Sequence, residues 1–524
     1  MAESKVGADV KIVFALALTL IFGAAAIDDG TLGWLIAFPA LAMLIFCMWR
    51  APLRNSLFVL TFFVLILENP NEAPASNKWQ SPFHSVGALM LMHLNNSLGP
   101  RWMSFYGMDV ILVTLIAITL QRKFTKSNID RAGQTPTPKP LVQLAFVSFA
   151  GTAFVWASGL LRGGEFSWSL WQVDRVVYLP LVFLLFQAGL RGPKDHAILA
   201  RILCSAALLR AVMAIFVANT FSVPPDPYTG DTRLPYATTH QDSVLFSDAC
   251  VVLISLVSER AGGWAWRRAL IALPILFAGM VANNRRLVWV QVAIVFLTTY
   301  LATPPNPFKR KLKRAVLILS PVIAVYLAAG WESKSPAFKP AQMVRSVVDP
   351  TTDSSSLWRE LENYDLVFTI RQNPVLGTGY GHQFSEVLVL PDVDYPLEKY
   401  CPHNSLLGLW AYAGYVGFTA MTLLWVVGVY FGLRAYHLAQ RPVDRAAAMT
   451  SFGAVCVYLV QCFGDIGLGG FTGVFTVAPA LAVAGKLAVA TGGWGAKKLG
   501  PATPSAPPNA DHVDLRAIGQ RQSS

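Results

Sequence analysis

The sequence places a histidine and an asparagine directly before a long apolar run, in YCPHNSLLGLWAYAGYVGF at residues 400–418. An ionisable side chain at the edge of an apolar segment costs free energy unless it is solvated, paired or used in chemistry. Because a neutral imidazole is the natural proton acceptor near pH 7, His403 is a candidate general base. The alternative is that His403 or Asn404 caps the following helix, and this stretch alone leaves both interpretations open.

Two adjacent arginines interrupt a second apolar region, in VANNRRLVWVQVAIVFL at residues 281–297. Arg285 and Arg286 could simply be helix-end side chains that extend toward water. Two guanidinium groups also offer the paired donors that suit a diphosphate. We favour the second interpretation, in which at least one of the two arginines binds an anion.

Two further arginines are weaker candidates for the same role. Arg175 follows Asp174 at the start of an apolar segment, so a local ion pair explains it equally well. Arg359 lies beside Glu360 and Glu362 in SSLWRELEN, where a solvated charged face is the alternative. The sequence alone does not decide between these roles.

The other loop histidines and the cysteines predict no additional site. His240 in YATTHQDS and His382 in GYGHQF are interpreted as ordinary loop histidines. Of the six cysteines, only Cys401 lies in a predicted outward loop, so no structural disulfide is expected. Neither a Cys/His spacing nor a pair of carboxylates indicates a metal site, and we expect no metal and no cofactor.

The composition shows which elements must position these side chains. The 524 residues are 54% hydrophobic and 14% charged, with a mean hydropathy of +0.47, which is too apolar for a soluble multidomain protein. We therefore predict an all-α, polytopic membrane protein with about fourteen transmembrane helices, or twelve if two short segments are re-entrant. The predicted spans are 11–27, 31–48, 56–67, 108–121, 141–160, 173–190, 199–219, 244–258, 269–284, 287–303, 315–330, 416–433, 448–464 and 471–489.

The distribution of lysine and arginine predicts the orientation of these spans. Six short alternate loops hold 21 of these residues, whereas the five short loops between them hold six. Because basic loops stay in the cytoplasm, the first set is predicted to lie inside, and both chain termini with it. The net charge of +12 is then a topology signal, and we expect no nucleic-acid partner.

One long segment, residues 331–404, is predicted to lie outside the membrane. Long loops in compact proteins usually carry function. Its part from Ser356 to Gln372 predicts an amphipathic helix at the membrane surface, and NPVLGTGYG at 373–381 ends that helix. The predicted apolar face of the helix consists of Leu357, Leu361, Tyr364 and Phe368.

The chain divides into a membrane domain and a tail. We predict one membrane domain over residues 1–490 and a disordered cytoplasmic tail over 491–524, which is rich in Pro, Ala and Ser. Acidic residues near the N-terminus and an immediate second span favour an uncleaved first helix over a signal peptide. No internal repeat indicates the inverted halves of a transporter.

Three of these stretches together resemble one known family. PHNSLLGLWAYAGYVGF is similar to the His-Asn-Ser motif and apolar helix of the O-antigen ligase and O-antigen polymerase superfamily. SSLWRELENYDLVFTIRQNPVLGTGYGHQF resembles its Ser/Arg stretch before an Asn/His-Pro-x-x-Gly-x-Gly turn. NNRRLVWVQVAIVFL resembles its Ser-Arg-Gly span, although Asn-Arg-Arg replaces the commoner form and leaves open whether Arg285 or Arg286 is equivalent. The resemblance extends from about residue 245 to 435.

The resemblance implies a metal-independent glycosyltransferase in the bacterial inner membrane, with its active site facing the periplasm. Members transfer a glycan from an undecaprenyl diphosphate carrier to an acceptor sugar hydroxyl. His403 would accept the hydroxyl proton, and Arg285 or Arg286 together with Arg359 would offset the charge on the leaving diphosphate.

The remaining candidates would bind or shape the substrate site. Arg175 would be a further substrate-binding residue, and Asn404 would orient His403 or cap its helix. Gly377 and Gly379 would shape the turn that lets the surface helix cover the site.

Three functions remain open at this point. We favour a polymerase that joins O-antigen or exopolysaccharide repeat units, and the first alternative is a ligase that transfers the glycan to lipid A-core. A transporter or flippase is the alternative from a different class, but it predicts polar groups near the membrane midplane, whereas the strongest polar cluster lies at one face. The expected partners are the carrier-linked glycan, the acceptor, membrane lipids, and a chain-length regulator and flippase.

The predicted orientation can be tested by cysteine labelling in cells whose outer membrane has been permeabilised. A cysteine introduced at Ser335 should react with a membrane-impermeant maleimide, because residues 331–404 are predicted to face outward. A cysteine at Lys311, in the basic loop 304–315, should react only after the inner membrane is opened. Protection of the Ser335 cysteine in intact inner membranes would refute the predicted location of the site.

Overall fold

A computed structural model describes most of the chain. The described residues are 2–27, 30–69, 82–91, 106–125, 130, 134–192, 194–221, 237–333, 338, 341, 344–345, 349, 354–390 and 399–495. The predicted disordered tail lies outside these ranges from residue 496 onward.

The regular structure in these ranges consists of sixteen helices, which confirms the all-α prediction. They are α1 (Ala2–Ile27), α2 (Gly30–Arg50), α3 (Leu53–Ile66), α4 (Pro82–Leu91), α5 (Gly107–Phe124), α6 (Lys139–Leu161), α7 (Phe166–Gly189), α8 (Asp195–Thr220), α9 (Asp242–Ser258), α10 (Gly263–Asn283), α11 (Leu287–Ala302), α12 (Pro307–Gly330), α13 (Ser354–Gln372), α14 (Ser405–Leu438), α15 (Pro442–Gly464) and α16 (Phe471–Ala490).

Each of the fourteen predicted spans overlaps one of these helices. Among the described residues, eight helices are long and apolar enough to cross a membrane: α6, α7, α8, α10, α12, α14, α15 and α16. Shorter apolar helical stretches occur at Val10–Ala24, Pro39–Arg50, Leu53–Ile66 and Leu287–Ala302. The two helices that overlap no predicted span are α4 and α13. Helix α4 was not predicted, and α13 was predicted as a surface helix.

The centre of the bundle is formed by its C-terminal helices. Helix α16 is the most buried of the long apolar helices and packs against α7, α14 and α15. Helix α14 also packs along α6, and α15 packs against α9 and α11. Helix α12 is the opposite case, since none of the residues in its 18-residue apolar stretch is buried. The long helices are therefore arranged around the segment that begins at His403 and ends at Ala490.

Helix α13 confirms that the segment predicted as a surface helix is helical, but it packs differently from the expectation. Its buried side faces α14 and includes Trp358, Glu362 and Leu366. Tyr364 and Phe368, which belong to the predicted apolar face, remain exposed at 55% and 36%. A helix with an exposed apolar face and a buried carboxylate fits a boundary between lipid and a polar site.

The glycine turn after α13 lies between α6 and α14. Gly377 and Gly379 have φ angles of +68° and +88°, a region that side chains with a Cβ rarely adopt. A Cβ on Gly377 would lie 2.2 Å from the carbonyl oxygen of Tyr412, and one on Gly379 would lie 2.3 Å from Cα of Gly159. Because Gly379 also donates its N–H to Tyr412 at 2.8 Å, the turn fixes the end of α13 to both helices.

We predict that Gly379→Ala destabilises the protein well beyond the effect of backbone strain. Gly163→Ala is the matched control, because Gly163 has a φ of +91° but open space around it. The control should cost about 1–2 kcal/mol from the left-handed conformation, and the clash should add about 1–3 kcal/mol at Gly379. Thermal unfolding in detergent measures the stability of both variants. An equal loss of stability in the two variants would show that the turn is not closely packed.

Candidate active site

His403 lies in the turn before α14 and is held by a buried carboxylate on α13. The backbone N–H of His403 donates to both oxygens of Glu362, at 3.0 and 3.1 Å, and its Nδ1 lies 3.4 Å from Glu362 Oε1. The Glu362 side chain is fully buried, and the Trp358 ring stands edge-on to the imidazole at 4.4 Å between centroids. Since a carboxylate only accepts hydrogen bonds, this contact requires a proton on Nδ1 and makes Nε2 the basic nitrogen.

Asn404 is the residue that caps α14. Its side-chain oxygen accepts a hydrogen bond from the N–H of Leu407 at 3.1 Å, and its Nδ2 donates to Asn363 Oδ1 at 2.9 Å. One side chain thus satisfies the start of α14 and ties that helix to α13. The cap interpretation therefore applies to Asn404, and it gives no reason for a histidine at position 403.

The two adjacent arginines occupy different surroundings. Arg285 follows Asn284, which ends α10 in a left-handed conformation with a φ of +53°, and Arg286 is the N-cap of α11. The Nη2 of Arg285 donates to Asp465 Oδ2 at 2.8 Å and lies 3.3 Å from Nδ1 of His240. Of the two, it is Arg285 that contacts the buried carboxylate.

Asp465 directly follows α15, and its carboxylate connects Arg285 to His240. The Nδ1 of His240 lies 3.2 Å from the same Asp465 oxygen that Arg285 contacts. Burial alone would raise the pKa of Asp465, but the neighbouring His240 imidazole and the positive charges of Arg285 and Arg359 hold that pKa well below its usual value. Asp465 is therefore an anion at neutral pH and stabilises the cations around it.

Arg359 brings a further positive charge from α13. Burial lowers the pKa of Arg359, and the positive charges of Arg285 and Arg286 lower it further. The negative charges of Asp465 and Glu362 act in the opposite direction. A guanidinium nevertheless stays protonated at neutral pH. Within the described part of the chain, the Nε of Arg359 is buried without a hydrogen-bond partner. An unsatisfied cationic donor beside other arginines is a favourable position for an anion.

A buried ion cluster holds the loop that carries His240. Arg210 on α8 is fully buried and donates to Asp242 at 2.7 and 2.9 Å and to Glu68 at 2.8 Å. The side-chain amide of Asn283 donates to the carbonyl of Thr239 at 3.1 Å, so α10 also holds this loop. The position of His240 is thus fixed by α3, α8, α9 and α10 together.

The remaining predicted residues lie around this site. Arg175 lines a small cavity of about 40 Å³ beside Cys401, Pro402 and Ser405, against the turn that contains His403. Gly377 and Gly379 are buried in the turn between α6 and α14 described above. The structure therefore places Arg359 on the same helix as Glu362, the partner of His403, and places the charges of Arg285 and Arg359 near Asp465.

Sequence reasoning missed three of the site residues. Glu362 was considered only as part of a possible solvated face, and His240 was interpreted as an ordinary loop histidine, whereas Asp465 was not singled out. Asp465 could have been found because it directly follows a predicted span at the same end of the bundle as His403. Glu362 lies three residues after Arg359, which places both on one side of a helix.

A second and larger cavity is separate from this cluster. It has a volume of about 790 Å³ and its lining includes His196, Arg201, Asp248 and Arg268 from α8, α9 and α10. Neither His403 nor any of the site arginines lines it. Volume alone therefore does not identify the site.

Comparison with known proteins agrees with the predicted family resemblance. No curated protein matches the chain. Residues 271–422 match a family model described as O-antigen ligase. The matched stretch contains Arg285, Arg286, Arg359 and His403 and lies within the region of predicted resemblance, whereas His240 and Asp465 fall outside it. Residues 271–422 thus carry an O-antigen ligase domain, which supports the predicted resemblance to the O-antigen ligase and polymerase superfamily.

Proposed function

We propose that the protein transfers a glycan from undecaprenyl diphosphate to an acceptor sugar hydroxyl, and that it polymerises O-antigen or exopolysaccharide repeat units. The observation that carries this proposal is the positive cluster beside the Glu362-bound histidine. The positive charges of Arg285 and Arg286 act on Arg359, together with the negative charges of Asp465 and Glu362. Several guanidinium groups near a histidine suit a reaction that deprotonates a hydroxyl and releases a diphosphate.

In the proposed mechanism, Nε2 of His403 accepts the proton of the acceptor hydroxyl as its oxygen attacks the anomeric carbon. The bond from that carbon to the diphosphate oxygen breaks, and the electron pair leaves with the diphosphate. Glu362 stabilises the imidazolium that forms, because its buried carboxylate faces Nδ1. Arg285 and Arg359 offset the charge that builds on the leaving group.

The position of the cluster supports a donor attached to a lipid. Arg359 and Glu362 lie on the buried side of α13, while Tyr364 and Phe368 of the same helix are exposed and apolar. A substrate with a charged diphosphate and a long hydrocarbon tail needs such a boundary, where one end contacts polar groups and the other contacts lipid. We propose that the site faces the periplasm of the bacterial inner membrane.

The choice between polymerase and ligase depends on the acceptor, because both reactions need the same base and the same arginines. We favour polymerase, in which a second carrier-linked repeat unit supplies the hydroxyl and a chain-length regulator and flippase act beside it. Supplying purified protein with a carrier-linked donor alone should give longer carrier-linked chains. Product that forms only when lipid A-core is added would assign the protein to the ligases instead.

We predict that His403→Asn leaves the protein folded but lowers transfer at least about a hundredfold. Asparagine caps helices at least as well as histidine but cannot accept a proton near neutral pH. Transfer is measured in proteoliposomes with a carrier-linked glycan donor, and thermal unfolding checks the fold. His437→Asn is the control, because His437 is exposed near the end of α14, far along the helix from the site.

Near-normal transfer by His403→Asn would show that the role of His403 is structural. The proton acceptor would then have to be another group of the cluster. A flippase would also be recognised in this experiment, because carrier-linked glycan would cross the liposome membrane without forming a new glycosidic bond.

We predict that Arg285→Lys is more damaging than Arg286→Lys. Lysine keeps the charge but cannot contact Asp465 and an anion at once with a planar fork, and Arg285 is the arginine that contacts Asp465. Arg285→Lys should lower transfer about tenfold or more, and Arg286→Lys should lower it less. Normal transfer by both lysine variants and by the double alanine variant, at normal abundance, would refute a role for this pair.

A further inference from the structure

His240 is placed to be a second histidine of the reaction. Its Nδ1 has two neighbours, of which one accepts and the other donates hydrogen bonds: Asp465 Oδ2 at 3.2 Å and Arg285 Nη2 at 3.3 Å. A carboxylate requires a proton on Nδ1, whereas a guanidinium donor requires that Nδ1 be unprotonated. The contacts around one ring nitrogen therefore change with the proton it carries and with where Arg285 points.

We propose that His240 becomes protonated when the donor diphosphate binds, and that as an imidazolium it stabilises the leaving diphosphate. This inference rests on the proposed function, because it assigns a further residue to the same site. When Arg285 turns toward the diphosphate, Asp465 remains as the partner of Nδ1 and favours a proton there. The imidazolium then adds a positive charge where the departing oxygen gains its electron pair.

The charges around His240 support a neutral ring before the donor binds. Burial lowers the pKa of His240, and the positive charges of Arg285 and Arg359 lower it further against the opposing effect of Asp465. These three residues reach it from α15, from the turn between α10 and α11, and from α13. A bound diphosphate offsets the two arginines, so the pKa of His240 rises on binding.

Within the described part of the chain, the charged groups Arg210, Asp242 and Glu68 beside this loop bind one another. Asp242, two residues after His240, accepts hydrogen bonds from Arg210, which also binds Glu68. This cluster fixes the loop, and its carboxylates are compensated by a buried guanidinium. The proton on His240 therefore responds to the anion at the site and to Asp465.

The proton balance of the reaction is then complete. The acceptor hydroxyl gives its proton to His403, and the bond from the anomeric carbon to the diphosphate breaks as the new glycosidic bond forms. His403 releases that proton to solvent after the transfer. His240 shares its own proton with the leaving diphosphate and returns it to solvent when the diphosphate departs. One histidine acts as a base and the other as a cationic donor.

The sign of the pH dependence follows from this linkage. Because binding raises the pKa of His240 from a depressed value, binding takes up a proton between the two pKa values. The affinity for diphosphate therefore rises as pH falls through that window, by at most about tenfold per pH unit, and levels off below the depressed pKa of the free protein.

The test is isothermal titration calorimetry with undecaprenyl diphosphate in buffers of different ionisation enthalpy, which counts the protons taken up. The wild-type protein near pH 7 should take up between about half a proton and one proton more than His240→Gln. The difference between the two proteins removes the titration of the lipid diphosphate itself. His437→Gln is the matched control and should behave like the wild type.

A second variant keeps the test valid if His240→Gln folds poorly. His240→Arg carries a permanent charge, so it should bind the lipid diphosphate with less pH dependence than the wild type and without the extra proton. Equal proton uptake by the wild type and both variants would overturn the inference.

The outcome also separates this inference from the proposed function. His403→Asn should lose transfer but keep the proton uptake. If undecaprenyl diphosphate does not bind to the wild type, both the inference and the proposed function fail. If it binds and transfer depends on His403, but the His240 variants take up as many protons as the wild type, only the inference fails.

Discussion

The buried carboxylate of Asp465 is the interaction on which the site depends. It accepts a hydrogen bond from Arg285 at 2.8 Å and faces His240 at 3.2 Å, while its backbone carbonyl lies 3.4 Å from the hydroxyl of Ser405. Without it, several positive charges would converge at the end of an apolar bundle with little to offset their desolvation. One residue thus joins the end of α15, the junction of α10 and α11, and the start of α14.

The site also shows how distant parts of the chain are combined. The His403 turn and α13 form one half through Glu362, and the loop of His240 with Arg285 forms the other half through Asp465. The first half rests on the glycine turn between α6 and α14, and the second rests on the buried Arg210 cluster. Because each half is fixed by buried contacts, little rearrangement is needed to place a diphosphate between them.

The sequence predicted the helices well, because long apolar runs determine where a chain can cross a lipid bilayer. His403, Arg285 and Arg359 were also identifiable, since a charged or basic side chain at the edge of such a run needs an explanation. Glu362, Asp465 and His240 were not recognised, because their importance comes from partners 41 to 225 residues away in the chain. Likewise, the choice between Arg285 and Arg286 depends on which side chain turns toward Asp465, and two adjacent identical residues carry no sequence signal for that.

The most direct test of this account is a cryo-electron microscopy structure of the protein with undecaprenyl diphosphate in a lipid nanodisc. The account predicts that the diphosphate contacts the guanidinium groups of Arg285 and Arg359, with the lipid tail leaving along the exposed apolar side of α13. Density for the diphosphate in the separate cavity of about 790 Å³ beside Asp248, with the arginine cluster unoccupied, would contradict it.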